Sequence, residues 1–117
     1  VSESLPAAVT EETLTVSEVA ERLSIPASRV VQLVREGQLL SLRHEREVVV
    51  PAVFLDGQDV IRGLSGTIMV LRDGGFEDRE ILAWLFTEDE SLGGSPIGAL
   101  RAGRQKEIKR RAQAMAF

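Results

Sequence analysis

Ser28, Arg29, Gln32 and Arg35 fall on successive turns of one stretch, "SIPASRVVQLVREGQLLSLRHE", residues 24–45, and Arg43, His44 and Arg46 follow soon after a glycine at position 37. A guanidinium fork matches a phosphate or the two acceptors of a guanine edge. A glutamine amide matches the donor and acceptor of an adenine edge, and a serine hydroxyl near a helix start suits a phosphate oxygen. Together these groups suggest recognition of double-stranded DNA. Arg43, His44 and Arg46 lie outside the helical pattern and suit phosphates or minor-groove edges better than a particular base.

Reacting chemistry is not indicated. His44 is the single histidine, and no nucleophile and base or set of metal ligands is arrayed around it. Asp56 and Asp59 without histidine or cysteine partners read as residues that cap or solvate a helix start. "GLSG" is too short to cradle a phosphate, and its glycines point instead to a tight helix approach or a bend. Cysteine is absent, which excludes disulfides, thiolate metal sites and cysteine nucleophiles and fits an intracellular protein. Aromatics are limited to Phe54, Phe76, Trp84, Phe86 and Phe117, too few for a ladder of stacked bases on a single strand. The expectation is a protein that is no enzyme, with no catalytic residue, no metal and no cofactor.

The groups must be held by something. Thr15 and Glu18 have capping-box spacing, and Val16, Val19, Ala20 and Leu23 share one face, so a short helix opens there. Pro26 suits the start of a second helix, expected over 26–36, with Val30, Leu33 and Val34 inward. Ser28, Gln32 and Arg35 then face outward, flanked by Arg29 and Glu36. Gly37 is the expected stop. Leu40 and Leu42 alternate with polar residues, "RHERE" can turn, and Val48, Val49 and Val50 favour a strand, which predicts a hairpin around His44 and Glu45 ended by Pro51. Two helices joined by a tight turn with a hairpin directly after form the outline of a winged helix-turn-helix.

Beyond "LDGQD", Val60, Ile61, Leu64, Ile68 and Leu71 recur at helical intervals, with Gly63 and Gly66 among them. "EDREILAWLF" predicts a helix with Glu77, Asp78 and Glu80 in its first turn and Trp84 as a core anchor. Ser95 and Pro96 start another helix that Gly103 stops, and a basic amphipathic helix marked by Ile108, Ala112, Met115 and Phe117 follows. The expected fold is mainly α with a small β hairpin: a flexible arm over 1–13, a winged helix-turn-helix over 14–55, and a helical region over 56–117 packed on or beside it. A chain of 117 residues permits two halves sharing one core.

The net charge of -4 conceals opposite local balances: residues 1–12 carry -3, 13–55 are neutral, 56–90 carry -6 and 91–117 carry +5. A polyanion responds to charge within a Debye length of roughly 10 Å, so the total does not exclude DNA. It does predict a binder that depends on specific groove contacts or on a second subunit, not on a broad electrostatic hold. Arg104, Lys106, Lys109, Arg110 and Arg111 have two readings, a second phosphate-binding patch or a solvated face balancing the acids of 77–90, and the second has the edge. No long apolar run and no basic leader are present, so neither a membrane partner nor a signal peptide fits, and the cytoplasm is the expected location.

"LTVSEVAERLSIPASRVVQLVREGQLLSLR" resembles the helix-turn-helix of the excisionase and MerR-related superfamily over residues 14–54. Pro26 stands where relatives often have Ser or Thr, and Glu45 and Glu47 dilute the positive charge of the hairpin. "VIRGLSGTIMVLRDGGFEDREILAWLFTEDESLGGSPIGALRAGR" with "KRRAQAMAF" extends the likeness to the whole chain. It is similar to a family of small actinobacterial DNA-binding regulatory proteins that in mycobacteria are substrates of a membrane Ser/Thr kinase. That resemblance implies transcription regulation, a kinase partner and phosphorylation at Thr10 or Thr13, which would add roughly -1.5 to -2 charges beside the contact elements. "WLFTEDESLGGSPIGALRAG" is also similar to the C-terminal motif of Xre/MbcA/ParS-type antitoxins, which implies a protein partner or self-association through the C-terminal helices. The alternative is therefore an antitoxin-like or adaptor module in which the helix-turn-helix is mainly scaffold.

Overall fold

Thr15 opens the first helix as its spacing predicts. In the computed structural model, which describes residues 12–117, the Thr15 hydroxyl accepts from the Glu18 N–H at 3.1 Å while the Glu18 carboxylate accepts from the Thr15 N–H at 2.8 Å. This reciprocal cap starts α1, Val16–Leu23, and satisfies two of its orphan donors. Ser24 ends it in the left-handed region at φ 58. The Ile25 N–H then donates back to the Ala20 carbonyl at 3.0 Å, so the chain turns sharply into α2, Ala27–Arg35. Pro26 is the N-cap of α2, one position before the helix proper, and Glu36 is its C-cap. Gly37, at φ 80, closes it: the Gly37 N–H donates to Val34 and the Gln38 N–H to Leu33, at 3.2 and 2.9 Å, the hydrogen-bond pattern of a Schellman stop.

The hairpin pairs β2, Leu42–His44, with β3, Glu47–Pro51. Its turn is Glu45–Arg46, so His44 ends a strand and does not form the tip. A third strand, β1 at Thr13–Thr15, pairs with the other edge of β3. Thr13, expected to close an arm over 1–13, is thus the first residue of a strand, and Leu14 is buried; the arm up to residue 11 lies outside the described residues. A two-residue hairpin, β4 Leu55–Asp56 and β5 Asp59–Val60, takes up residues expected to be loop and helix start. Asp56 and Asp59 face each other across it, both exposed. The order of α1, α2 and the β2–β3 hairpin is a winged helix-turn-helix with a small antiparallel sheet.

The helix expected from Val60 begins later, as α3 at Leu64–Asp73. Gly63 is its N-cap at φ 91, a conformation that costs other residues roughly 1–2 kcal/mol, so the chain cannot be helical before it. Next come α4 Asp78–Phe86, α5 Pro96–Arg101 with the Ser95 hydroxyl as N-cap, and α6 Gln105–Ala116. Helices α3 and α6 run side by side in the same direction. A Cβ on Gly63 would lie 2.7 Å from Gln105 Cβ, and the backbone of Gly74 lies against Ala116. Gly63 thus provides a close helix approach, whereas Gly66 faces open space. Ile108 and Ala112 are buried as expected, but Met115 is 41% and Phe117 85% exposed; Ala116 makes the contact expected of them.

One core runs through both halves. Leu14, Val19, Val30, Leu39 and Phe54 belong to the same buried cluster as Ile68, Leu85, Ile97 and Ile108. Phe54, on a 3-10 turn at Ala52–Phe54, packs at 5.7 Å between ring centroids against Phe86 of α4. Trp84 is only partly buried at its edge. Among the described residues no helix is long and apolar enough to cross a membrane.

Candidate nucleic-acid interface

The amphipathic split of α2 decides what the molecule presents. Val30 and Leu33 are buried, which turns Ser28, Arg29, Gln32, Arg35 and Glu36 outward, where with Ile25, Pro26 and Val31 they line a shallow open groove. Ser28, Val31, Gln32 and Arg35 fall at i, i+3, i+4 and i+7 on one stripe. The structure brings together the four helical residues singled out by sequence and adds Val31, 46% exposed at the middle of the stripe. Its signal was present in that spacing but masked by the run "RVVQLV". A valine there provides an apolar contact of the kind a thymine methyl offers.

Glu36 organises the flank of this stripe. Its carboxylate accepts from the Gln32 side-chain amide at 2.9 Å and from that of Gln38 at 3.4 Å, and lies 4.0 Å from the Arg29 guanidinium. Two of the expected contact groups, Gln32 and Arg29, are therefore tethered to one acid. Arg35 makes no ion pair among the described residues.

The wing holds Arg43 and Arg46 exposed, with His44 half-buried. Glu45 and Arg46 have φ 53 and 69, the two positive angles of a type I′ turn, which matches the twist of a two-residue hairpin but favours Asn and Gly. Two long charged side chains occupy it instead. Such a turn projects Arg46 from the end of the sheet.

The basic tail splits between its two readings. The Arg104 guanidinium donates to Glu107 at 2.9 Å and to the Leu92 carbonyl at 3.0 Å. Arg111 donates to the Ser91 hydroxyl at 2.8 Å and lies 3.7 Å from Asp89 and 3.4 Å from Glu107. Hydrogen bonds from the Ser91 side chain and backbone, with Arg111 nearby, hold the Asp89 carboxyl below its ordinary value. The Arg104 hydrogen bond does the same for Glu107, with Arg111 adding to it. These two arginines pin α6 to the loop between α4 and α5. Lys106, Lys109 and Arg110 are exposed and make no ion pair among the described residues. No group of three or more potential metal ligands occurs among the described residues. Of the two candidate phosphate acceptors, Thr13 is the first residue of β1 and half-buried, and Thr10 lies outside the described residues.

Two family models match consecutive parts of the chain, on either side of residues 56–60. A family model described as "DNA-binding protein Rv2175c, wHTH domain" matches residues 2–55, and one described as "Rv2175c C-terminal domain of unknown function" matches residues 61–116. The DNA-binding protein Rv2175c of Mycobacterium tuberculosis is 41% identical over 120 aligned residues, which cover 92% of this chain and 82% of that protein. A solved NMR structure of Rv2175c superposes with a TM-score of 0.86 at 39% identity, covering 97% of this chain and 90% of that one. On the agreement of sequence along nearly its whole length and of fold, this chain belongs to the Rv2175c family, a winged helix-turn-helix continued by a helical C-terminal region.

Proposed function

We propose that the protein is a cytoplasmic regulator that binds double-stranded DNA, with α2 in the major groove and the β2–β3 wing on the adjacent backbone or minor groove. The observation that carries this reading is the outward stripe of Ser28, Val31, Gln32 and Arg35 on the second helix of a winged helix-turn-helix. The relative named a DNA-binding protein supports it. In this mode Gln32 reads an adenine edge, Arg35 or Arg29 a guanine edge or phosphate, and Arg43, His44 and Arg46 hold the backbone. Helix α2 has no side-chain N-cap, so its first N–H groups, with the Ser28 hydroxyl, suit a phosphate oxygen.

Phosphorylation of the N-terminal arm by a Ser/Thr kinase is part of the same reading. Thr13 sits in a strand whose neighbour Glu12 accepts from the Ala52 N–H at 2.9 Å, so Thr10 is the better acceptor. Phosphate there would add negative charge to the arm, which opposes binding to a polyanion.

The experiment is a salt series of duplex binding by fluorescence anisotropy with Arg29→Ala, Arg35→Ala, Arg46→Ala and Thr10→Glu. Each arginine loss should cost about 1–3 kcal/mol at a base edge or lower the salt slope by about 1 at a phosphate, and Thr10→Glu should weaken binding most at low salt. Wild-type affinity in all three arginine variants would leave the helix-turn-helix as scaffold and favour the adaptor alternative.

A further inference from the structure

Arg72, near the end of α3, reaches across to the end of α2. Its Nη1 donates to the Arg35 carbonyl and its Nη2 to the Val34 carbonyl, both at 3.3 Å. Its Nε and Nη2 donate to the two carboxylate oxygens of Asp78 at 2.9 and 2.8 Å. Gly37 lies directly beside this fork: a Cβ there would come within 2.9 Å of Nη1 and 3.2 Å of Met69 Sδ.

The charges alternate along this line. Carbonyls at the C-terminal end of α2 carry partial negative charge, the guanidinium is positive, Asp78 is negative, and Asp78 is the first residue of α4, where the helix N-terminus favours an anion. The Arg72 side chain is 27% exposed, so these bonds are partly shielded from water. The guanidinium makes four donor contacts here, two of them the parallel pair to Asp78; an ammonium has three N–H groups and no fork to match both carboxylate oxygens.

We propose that Arg72, held by Asp78, is a positioning residue for the recognition helix. It fixes the last turn of α2, which carries Gln32 and Arg35, and through it the C-terminal region sets the affinity for DNA. This rests on the DNA-binding reading above.

The test uses the full chain as wild type, Arg72→Ala, Arg72→Lys and Asp78→Asn. Amide hydrogen exchange is followed by NMR without DNA, and anisotropy with a labelled duplex selected by the wild type from a random pool. The expected result is faster exchange at the Glu36, Gly37 and Gln38 amides and a roughly tenfold loss of affinity. The salt slope should stay unchanged because no phosphate contact is removed. Lysine should fail to rescue, and Asp78→Asn should move both readouts in the same direction without altering the guanidinium. Wild-type exchange and affinity in Arg72→Ala would overturn the proposal, as would a lowered salt slope, which would make Arg72 a direct phosphate ligand. A wild type that binds no duplex at any salt would instead sink the DNA reading, and this proposal with it.

Discussion

Glu36 is the residue whose charge works against its own surface. Its carboxylate tethers Gln32 and faces Arg29, and it would stand near the backbone of any DNA lying on α2. Exposed pairs of this kind are worth about 0–1 kcal/mol, so the pairing does little for stability. Glu36→Gln should tighten binding to an unselected duplex about threefold, a change of the size such pairs allow, while narrowing its difference from a selected one. Parallel anisotropy titrations check this, and a gain confined to the selected duplex would contradict it. At this scale much was legible in the sequence. Ser28, Arg29, Gln32 and Arg35 could be placed because a helical repeat decides their side once Val30 and Leu33 are inward. Val31 escaped because a valine in an apolar run carries no mark of its side, and Arg72 because its partners Val34 and Arg35 lie far away in sequence.

At the scale of elements, the wing and the tail anchor each make a prediction. Glu45 and Arg46 occupy positive φ, where a side chain costs roughly 1–2 kcal/mol per residue. Glu45→Asn with Arg46→Gly should therefore raise the midpoint of thermal unfolding while weakening DNA binding, a separation of stability from function. A double variant that loses both would show that the turn is not strained. The loop between α4 and α5 is joined to α6 by Arg111 on Asp89 and Ser91 and by Arg104 on the Leu92 carbonyl, while Glu107 holds both arginines from within α6. Both carboxyls titrate below their ordinary values, so the folded state favours their ionised form. This stabilisation is present above the unfolded carboxylate range and fades as pH falls through the lowered folded values. Amide exchange in α6 should accelerate over that acidic window, and Ser91→Ala with Arg104→Gln, which remove the largest causes of the two shifts, should flatten the change; an unaltered pH profile would assign the shifts no role in holding the helix. Among the elements, α1, α2, α4 and α5 were readable from caps, stops and period. Strands β1, β4 and β5 were not, since two or three residues hold no period and form only because a partner strand or the core is in place.

For the whole molecule, the continuous core is the governing feature. Phe54 is fully buried and meets Phe86 across the two halves. Phe54→Ala should cost about 3–5 kcal/mol, a large share of the roughly 5–15 kcal/mol that holds a domain. Unfolding followed separately by Trp84 fluorescence, in the C-terminal half, and by NMR signals of α1 should shift together; two separate transitions would mean that the halves are independent. Sequence permitted a shared core but could not choose it over two neighbouring ones, because the choice lies in contacts between distant residues. The joined core also limits how this architecture can be reshuffled. Families drawn on either side of residues 56–60 suggest a place to exchange one half for another, but a transplanted helix-turn-helix would leave behind the ring that covers Phe54 and the guanidinium bonded to the last carbonyls of α2. A chimera across that boundary inherits the probe without its mounting, so grafts between relatives should succeed only when Arg72, Asp78 and Phe86 travel with the helix they serve.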